Sequence, residues 1–203
     1  YLKRPVAVLD FGSLYPSIII NNNMSHETLM RDPKYLGEEG RDSDVVGAVV
    51  LSVPCDLEAS AVELSTPGNR LYLNGFLKTL KGMVRRKAAE MPDTVSVEGL
   101  EKIDSLVTFD DRYTAPLNGF KNAHEYYLKC SSLAYLGGIG IPTLMVNARN
   151  DPFLTESCYP VEMCGSHESL HLEVPDSGGH VGFPLGWGRY WSETRSVTFL
   201  SAI

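Results

Sequence analysis

The chain has 203 residues, is 43% hydrophobic and 21% charged, and carries a formal charge of −7. That is enough to bury the core of one ordinary domain, while the acidic balance excludes a large nucleic-acid footprint, which rests on clustered Lys and Arg. The one basic stretch, Lys78, Lys81, Arg85, Arg86 and Lys87, falls at helical spacing and reads as a solvated helix face. Four cysteines, Cys55, Cys130, Cys158 and Cys164, form no Cys-x-x-Cys pair and have no histidine at metal-ligand spacing. Reduced thiols are therefore expected, rather than a zinc site or a disulfide framework. No run reaches the ~18 apolar residues of a membrane span, and the first residues lack a signal-peptide pattern, so a cytoplasmic setting is expected. No cofactor is called for.

In chain order, Pro5 to Phe11 is a short apolar run rich in β-formers, followed by Gly12-Ser13 and a helical stretch from Leu14 to Asn23 with Pro16 in its first turn. Asp32-Pro33 breaks that pattern, and a second buried strand runs from Val45 to Val53, closed by Pro54. Between Ala59 and Met91 the positions Leu71, Leu73, Phe76, Leu77, Leu80 and Val84 repeat at helical spacing, ended by Pro92-Asp93. Val97 to Phe109 reads as a further helix with Ser96 as N-cap, and Ala123 to Leu136 as another. Pro142 to Ala148 is a third buried strand, bounded by Gly138, Gly140 and the Asn150-Asp151-Pro152 turn, and Leu170 to Val174 a fourth, running into Ser177-Gly178-Gly179-His180.

Apolar strands separated by helices are the pattern of an α/β fold, a parallel sheet flanked by helices, in which functional groups gather on loops at the carboxyl ends of the strands. Asp151 and His180 both occupy such loops. Neighbouring parallel strands lie about 4.8 Å apart, so an acid just past one and a histidine just past the next can meet. The carboxylate would then fix the imidazole tautomer and stabilise the imidazolium formed when the other ring nitrogen takes a proton from a serine. Turn chemistry for Asp-Pro, and packing for a histidine in a glycine loop, are the plainer alternatives.

A group of segments carries a more specific likeness: Tyr35-Leu-Gly-Glu-Glu-Gly40, the strand Val46 to Pro54, Phe109-Asp-Asp-Arg112 continuing to Phe120, Tyr126-Tyr127, Ile141-Pro-Thr-Leu144, Asn150-Asp-Pro-Phe153, Gly178-Gly-His-Val-Gly-Phe183 and Trp191-Ser-Glu-Thr-Arg195. Together, residues 34–203 resemble the C-terminal half of the YheT-like α/β-hydrolases, a family that includes ABHD-type lipases. The resemblance implies a partial α/β-hydrolase fold of about four mainly parallel strands, with a helical insertion over about 59–130 that helps to shape an acyl or alcohol pocket. It implies hydrolysis of carboxylic esters, a small-molecule ester or lipid as substrate, Asp151 as the triad acid and His180 as its base. The family's Gly-x-Ser-x-Gly-Gly-Asn elbow and oxyanion loop do not occur in these 203 residues, so weak or absent activity is expected.

Residues 1–33 resemble something else, motif A of family B DNA polymerases, in the segment Asp10-Phe-Gly-Ser-Leu-Tyr-Pro-Ser17. In that family Asp10 would bind a catalytic magnesium ion and Tyr15 would lie beneath the incoming sugar. The second metal-binding aspartate, in a Tyr-Gly-Asp-Thr-Asp-like turn, has no counterpart in such a setting, and the chain reads as a fusion of two unrelated fragments. Ser13 follows a strand and precedes a helix, as an elbow serine does, but Phe11 and Tyr15 occupy positions where an elbow needs small residues. A helix N-cap is its competing role. With the early hydrolase strands absent, the outermost strand is expected to expose pairing groups, giving a marginal, aggregation-prone fold.

Overall fold

A computed structural model of the chain describes residues 7–10, by backbone alone, and residues 46–203. The helical stretch expected from Leu14 to Asn23, the Asp32-Pro33 break and Ser13 lie outside the described residues.

Four strands, β1 (Ala7–Asp10), β2 (Ala48–Leu51), β3 (Thr143–Val146) and β4 (Leu170–Glu173), pair in the order β1-β2-β3-β4, all parallel. The register sets Ala7 beside Ala48, Ala48 beside Thr143 and Thr143 beside Leu170. Each strand is a few residues shorter than its apolar run. The fold is thus α/β, with every expected strand present. All four residues of β3 are buried, as befits a central parallel strand covered on both faces.

The alternation along the strands divides the core into two layers. On one face Val49, Leu144 and Val146 pack with Ala148, Phe183 and Leu200, the last from the C-terminal helix. On the other, Met145 and Leu170 pack with Val53, Cys55, Leu136 and Cys164. All four cysteines are buried thiols, and burial pushes the Cys55 thiol up to about 12, so it is an inert core group.

Between β2 and β3 the described chain is helical. Helix α1 (Leu57–Glu63) is capped by Asp56, whose carboxylate accepts from Ala59 N at 3.0 Å. Pro67-Gly68-Asn69 then makes one 3₁₀ turn that redirects the chain into α2 (Arg70–Glu90). This long helix buries Leu73, Leu77, Leu80, Met83 and Val84 against Val95, Leu100, Ile103, Phe109 and Tyr113. Of its basic residues Lys78, Arg85 and Arg86 are exposed, and Arg85 pairs with Glu101, as a solvated face should.

Two expected helices are corrected. The stretch from Val97 to Phe109 is not one helix: Gly99 adopts φ +66 and Ile103 is extended, leaving a 3₁₀ turn, Leu100–Lys102, and the short α3 (Leu106–Phe109). The cap of α3 is Ser105, which accepts from Thr108 N at 3.1 Å, while the Ser96 hydroxyl accepts from Glu98 N within its own turn. A π-helical turn, Asp110–Thr114, leads from α3 to the three-residue α4 (Ala115–Leu117). Helix α5 (Ala123–Cys130) stops well before Leu136, because Ser131 turns extended and its hydroxyl caps the Tyr127 carbonyl at 2.7 Å.

Past β3 come α6 (Val161–Ser166), β4, a small antiparallel hairpin of β5 (Pro184–Gly186) and β6 (Arg189–Tyr190), and α7 (Trp191–Ser201). No helix among the described residues is long and apolar enough to cross a membrane.

Candidate active site

The β3–β4 ladder continues beyond both strands. Asn147 N donates to Glu173 O at 3.1 Å and Arg149 N to Pro175 O at 2.8 Å, so the segments leaving the two strands stay side by side. Asp151 then turns inward, its own N–H bonded to Ala148 O. Its carboxylate is fully buried and uses both oxygens: Oδ1 accepts from Phe153 N at 2.9 Å, and Oδ2 lies 2.8 Å from His180 Nδ1.

That contact orients the imidazole with Nδ1 toward the acid, which leaves Nε2 for chemistry. Nε2 is buried and has no hydrogen-bond partner. A buried polar atom without a partner is rare in a folded protein, and here it is the atom that would exchange a proton with a nucleophile and leaving group. The structure thus brings together the two residues that the sequence reading paired, which stand 29 positions apart.

The surroundings hold this pair from several sides. The Phe153 ring lies against the His180 ring, centroids 4.6 Å apart, and is met edge-on by Tyr72 at 5.0 Å and Phe76 at 5.9 Å. Helix α2 thus reaches the site through its first two turns. Just before α2, buried Asn69 donates to Pro152 O at 2.7 Å and to Glu63 O at 3.1 Å, tying the turn between α1 and α2 to the Asp151 loop. Asn147, wholly buried, accepts from Val53 N at 2.7 Å and donates to Val53 O and Cys158 O. Tyr159 donates to Ala148 O at 2.7 Å, and burial, followed by the nearby Asp151 charge, pushes its hydroxyl up to about 12. Asn150 Oδ1 accepts from both Gly178 N and Gly179 N, at 3.0 and 2.9 Å.

Sequence reasoning missed these asparagines, because a side chain that bonds distant backbone leaves no local pattern. It also missed Ser52, placed inside the second strand. Ser52 follows β2 at φ +54, is fully buried, and its Oγ has no hydrogen-bond partner. Of the remaining candidates, Ser13 lies outside the described residues, and Asp10 is described by backbone alone as the last residue of β1, beside Leu51. Among the described residues no group of three or more His, Cys, Asp or Glu side chains is arranged to hold a metal ion.

The fold and site define an α/β protein with an acid–histidine pair at the carboxyl edge of a parallel sheet, and known proteins sharpen that description. The chain is similar to YheT of Escherichia coli (strain K12), 33% identical over 82% of this chain and 50% of the relative. It is similar to monoacylglycerol lipase of Saccharomyces cerevisiae (strain ATCC 204508 / S288c), 36% identical over 82% of this chain and 38% of that one. To phospholipase ABHD3 of Homo sapiens it is 30% identical over 87% of this chain and 44% of that one. The chain spans half or less of the length of these relatives.

The family model that matches is DNA polymerase family B, over residues 1–66. That match runs past the leader ending at residue 33 and takes in Asp42-Ser43-Asp44, an Asp-x-Asp outside the described residues and without the Tyr-Gly of a polymerase turn. The relatives' 82% share is more than residues 67–203 can supply, so the two likenesses overlap in sequence. The chain carries both: most of it resembles the YheT-like α/β-hydrolases, and its beginning resembles a family B polymerase.

Proposed function

We propose that this chain is the acid–base half of a carboxylic ester hydrolase acting on small-molecule or lipid esters. The observation that carries the reading is the buried Asp151–His180 contact of 2.8 Å with Nε2 left unpartnered. His180 is the general base and acid, Asp151 holds its tautomer and stabilises the imidazolium, and Phe153 with Tyr72 and Phe76 forms an aromatic wall beside the base. The names of two relatives, a monoacylglycerol lipase and a phospholipase, support a lipid ester. Four buried cysteine thiols fit a reducing compartment such as the cytoplasm.

Activity of these 203 residues alone is low in this reading, because they contain no Gly-x-Ser-x-Gly. An acid–base pair without its nucleophile leaves only a remnant of the rate. Ser13 is the candidate substitute, three residues beyond the end of β1. Hydrolysis of a short-chain p-nitrophenyl ester by the chain, by Ser13→Ala and by His180→Ala tests this. Loss of a measurable rate in both variants identifies a working esterase with Ser13 as nucleophile; three equally silent proteins identify an inactive hydrolase unit; a rate indifferent to His180→Ala overturns the reading.

The match of residues 1–66 to DNA polymerase family B supports a second reading, magnesium-dependent nucleotidyl transfer through Asp10. One carboxylate does not hold two metal ions against substrate phosphates, so chelator-sensitive nucleotide incorporation is expected to be nil.

A further inference from the structure

We infer that Asn150 is a positioning residue that sets the distance between the acid and the base, an inference that rests on the role proposed for Asp151 and His180. Its Oδ1 accepts two backbone N–H groups, from Gly178 at 3.0 Å and Gly179 at 2.9 Å. These belong to the residues leading directly into His180, while Asn150 itself precedes Asp151. One side-chain oxygen therefore joins the acid's loop to the base's loop immediately beside the contact between them.

Two other ties join the loops nearby, the exposed Arg149–Asp176 pair at 3.2 Å and the close approach of Gly178 to Ala148, but neither reaches Gly179. The last backbone bond between them is Arg149 N to Pro175 O; beyond it Gly178 and Gly179 must turn the chain so that His180 points back at Asp151. Gly179 does so at φ +64, with open space where a Cβ would be. Asn150 supplies the restraint through two converging N–H donors. Its residue is exposed, so it adds little to the core, and its loss acts on geometry rather than on folding. The oxygen has both lone pairs in use, as an amide or carboxylate oxygen can but a methyl group cannot.

Asn150→Ala and Asn150→Asp in the full chain separate this role from a structural one. The readout is the downfield imidazole Nδ1–H resonance of the ¹⁵N-labelled protein, assigned by its disappearance in His180→Gln and its dependence on Asp151. With Asn150→Ala the resonance is lost or broadened, far-UV circular dichroism is unchanged and Tm moves by no more than about 4 °C. With Asn150→Asp, which keeps an acceptor oxygen in place, it returns. A resonance retained in Asn150→Ala, no return in Asn150→Asp, or global unfolding of the alanine variant each overturns the inference. Loss and return of the resonance in a chain whose ester hydrolysis is indifferent to His180→Ala leaves the positioning role standing and removes the esterase reading. Absence of the resonance from the unsubstituted chain removes both.

Discussion

Gly178→Ala is the sharpest test of how the histidine loop is built. A Cβ at Gly178 would lie 2.4 and 2.5 Å from two ring carbons of Phe183 and 3.0 Å from the Ala148 Cβ. Phe183 cannot yield cheaply: it is 2% exposed, packs in the layer of Val49, Leu144, Val146 and Leu200, stacks on Trp191 at 5.9 Å, and is itself held at φ +38. Overpacking of this kind costs about 1–3 kcal/mol, and swinging the ring out would instead leave a cavity costing about 3–5 kcal/mol. The cheaper route wins, and because the ring is so firmly held a loss toward the upper end of that range, up to about 3 kcal/mol, is expected, read as a lowered midpoint in urea at constant m. Gly179→Ala is the control. It carries φ +64 but nothing lies near its Cβ position, so only the left-handed backbone penalty of about 1–2 kcal/mol applies. Two variants equally stable, or Gly178→Ala within ~0.5 kcal/mol of the unsubstituted chain, would refute the clash argument.

Asn147→Ala strands two buried backbone groups, Val53 N and Cys158 O, while Val53 O keeps its bond from Cys55 N, and is expected to cost about 3 kcal/mol in the same titration. Ser52→Gly removes a hydroxyl without a partner and a left-handed serine at φ +54; it should be neutral or stabilising by up to ~1 kcal/mol, and a clear destabilisation would mean that the side chain packs usefully. Asp110 gives a pH signature. Burial pushes its carboxyl from the usual 3.8 up to about 6, against the opposing hydrogen bonds from Thr114 and Tyr127. The folded state therefore keeps this proton between pH 3.8 and 6 while the unfolded chain releases it, and this group's contribution to stability falls as pH rises through that window, then stays level above it. Tm measured from pH 4 to 7 should show the fall in the unsubstituted chain relative to Asp110→Asn; parallel curves would refute it.

The meeting of Asp151 and His180 was legible because two rules sufficed. Short apolar runs such as Thr143–Val146 and Leu170–Glu173 mark parallel strands, and the polar residues that follow them must share one sheet edge. Helix α2 was legible from its periodicity. The segment from Val97 to Phe109 was not, since its apolar residues Leu100, Ile103 and Phe109 point into the same core cluster as α2 without forming one helix. Burial dictated which residues are apolar there, and Gly99 dictated the backbone. The supports of the site were hidden for a different reason. Asn69, Asn147 and Asn150 each bond to a group far along the chain, up to 83, 94 and 29 positions away respectively, and no periodicity in sequence encodes such a bond.

The two likenesses of the chain meet in β1, and the meeting separates what a sheet requires from what a catalytic turn requires. Ala7–Asp10 belongs to the polymerase-like stretch, yet it pairs in parallel with β2 through four registered residues, Ala7 with Ala48 to Asp10 with Leu51. Parallel pairing uses backbone groups and asks of side chains only that they be apolar and β-forming, and Ala-Val-Leu meets that condition whatever its origin. An exposed strand edge accepts almost any such partner. A nucleophile elbow is different: its strained turn and the close passage of the following helix restrict the flanking positions to small residues, whereas Phe11 and Tyr15 flank Ser13. A foreign segment can therefore complete the sheet beside the hydrolase-like strands without completing the triad. The substitution that probes this directly is Phe11→Gly with Tyr15→Gly. If strand supply is solved and turn chemistry is what fails, the double variant gains Ser13-dependent ester hydrolysis over the unsubstituted chain; an equally silent double variant that still folds would mean that more than the turn separates Ser13 from His180.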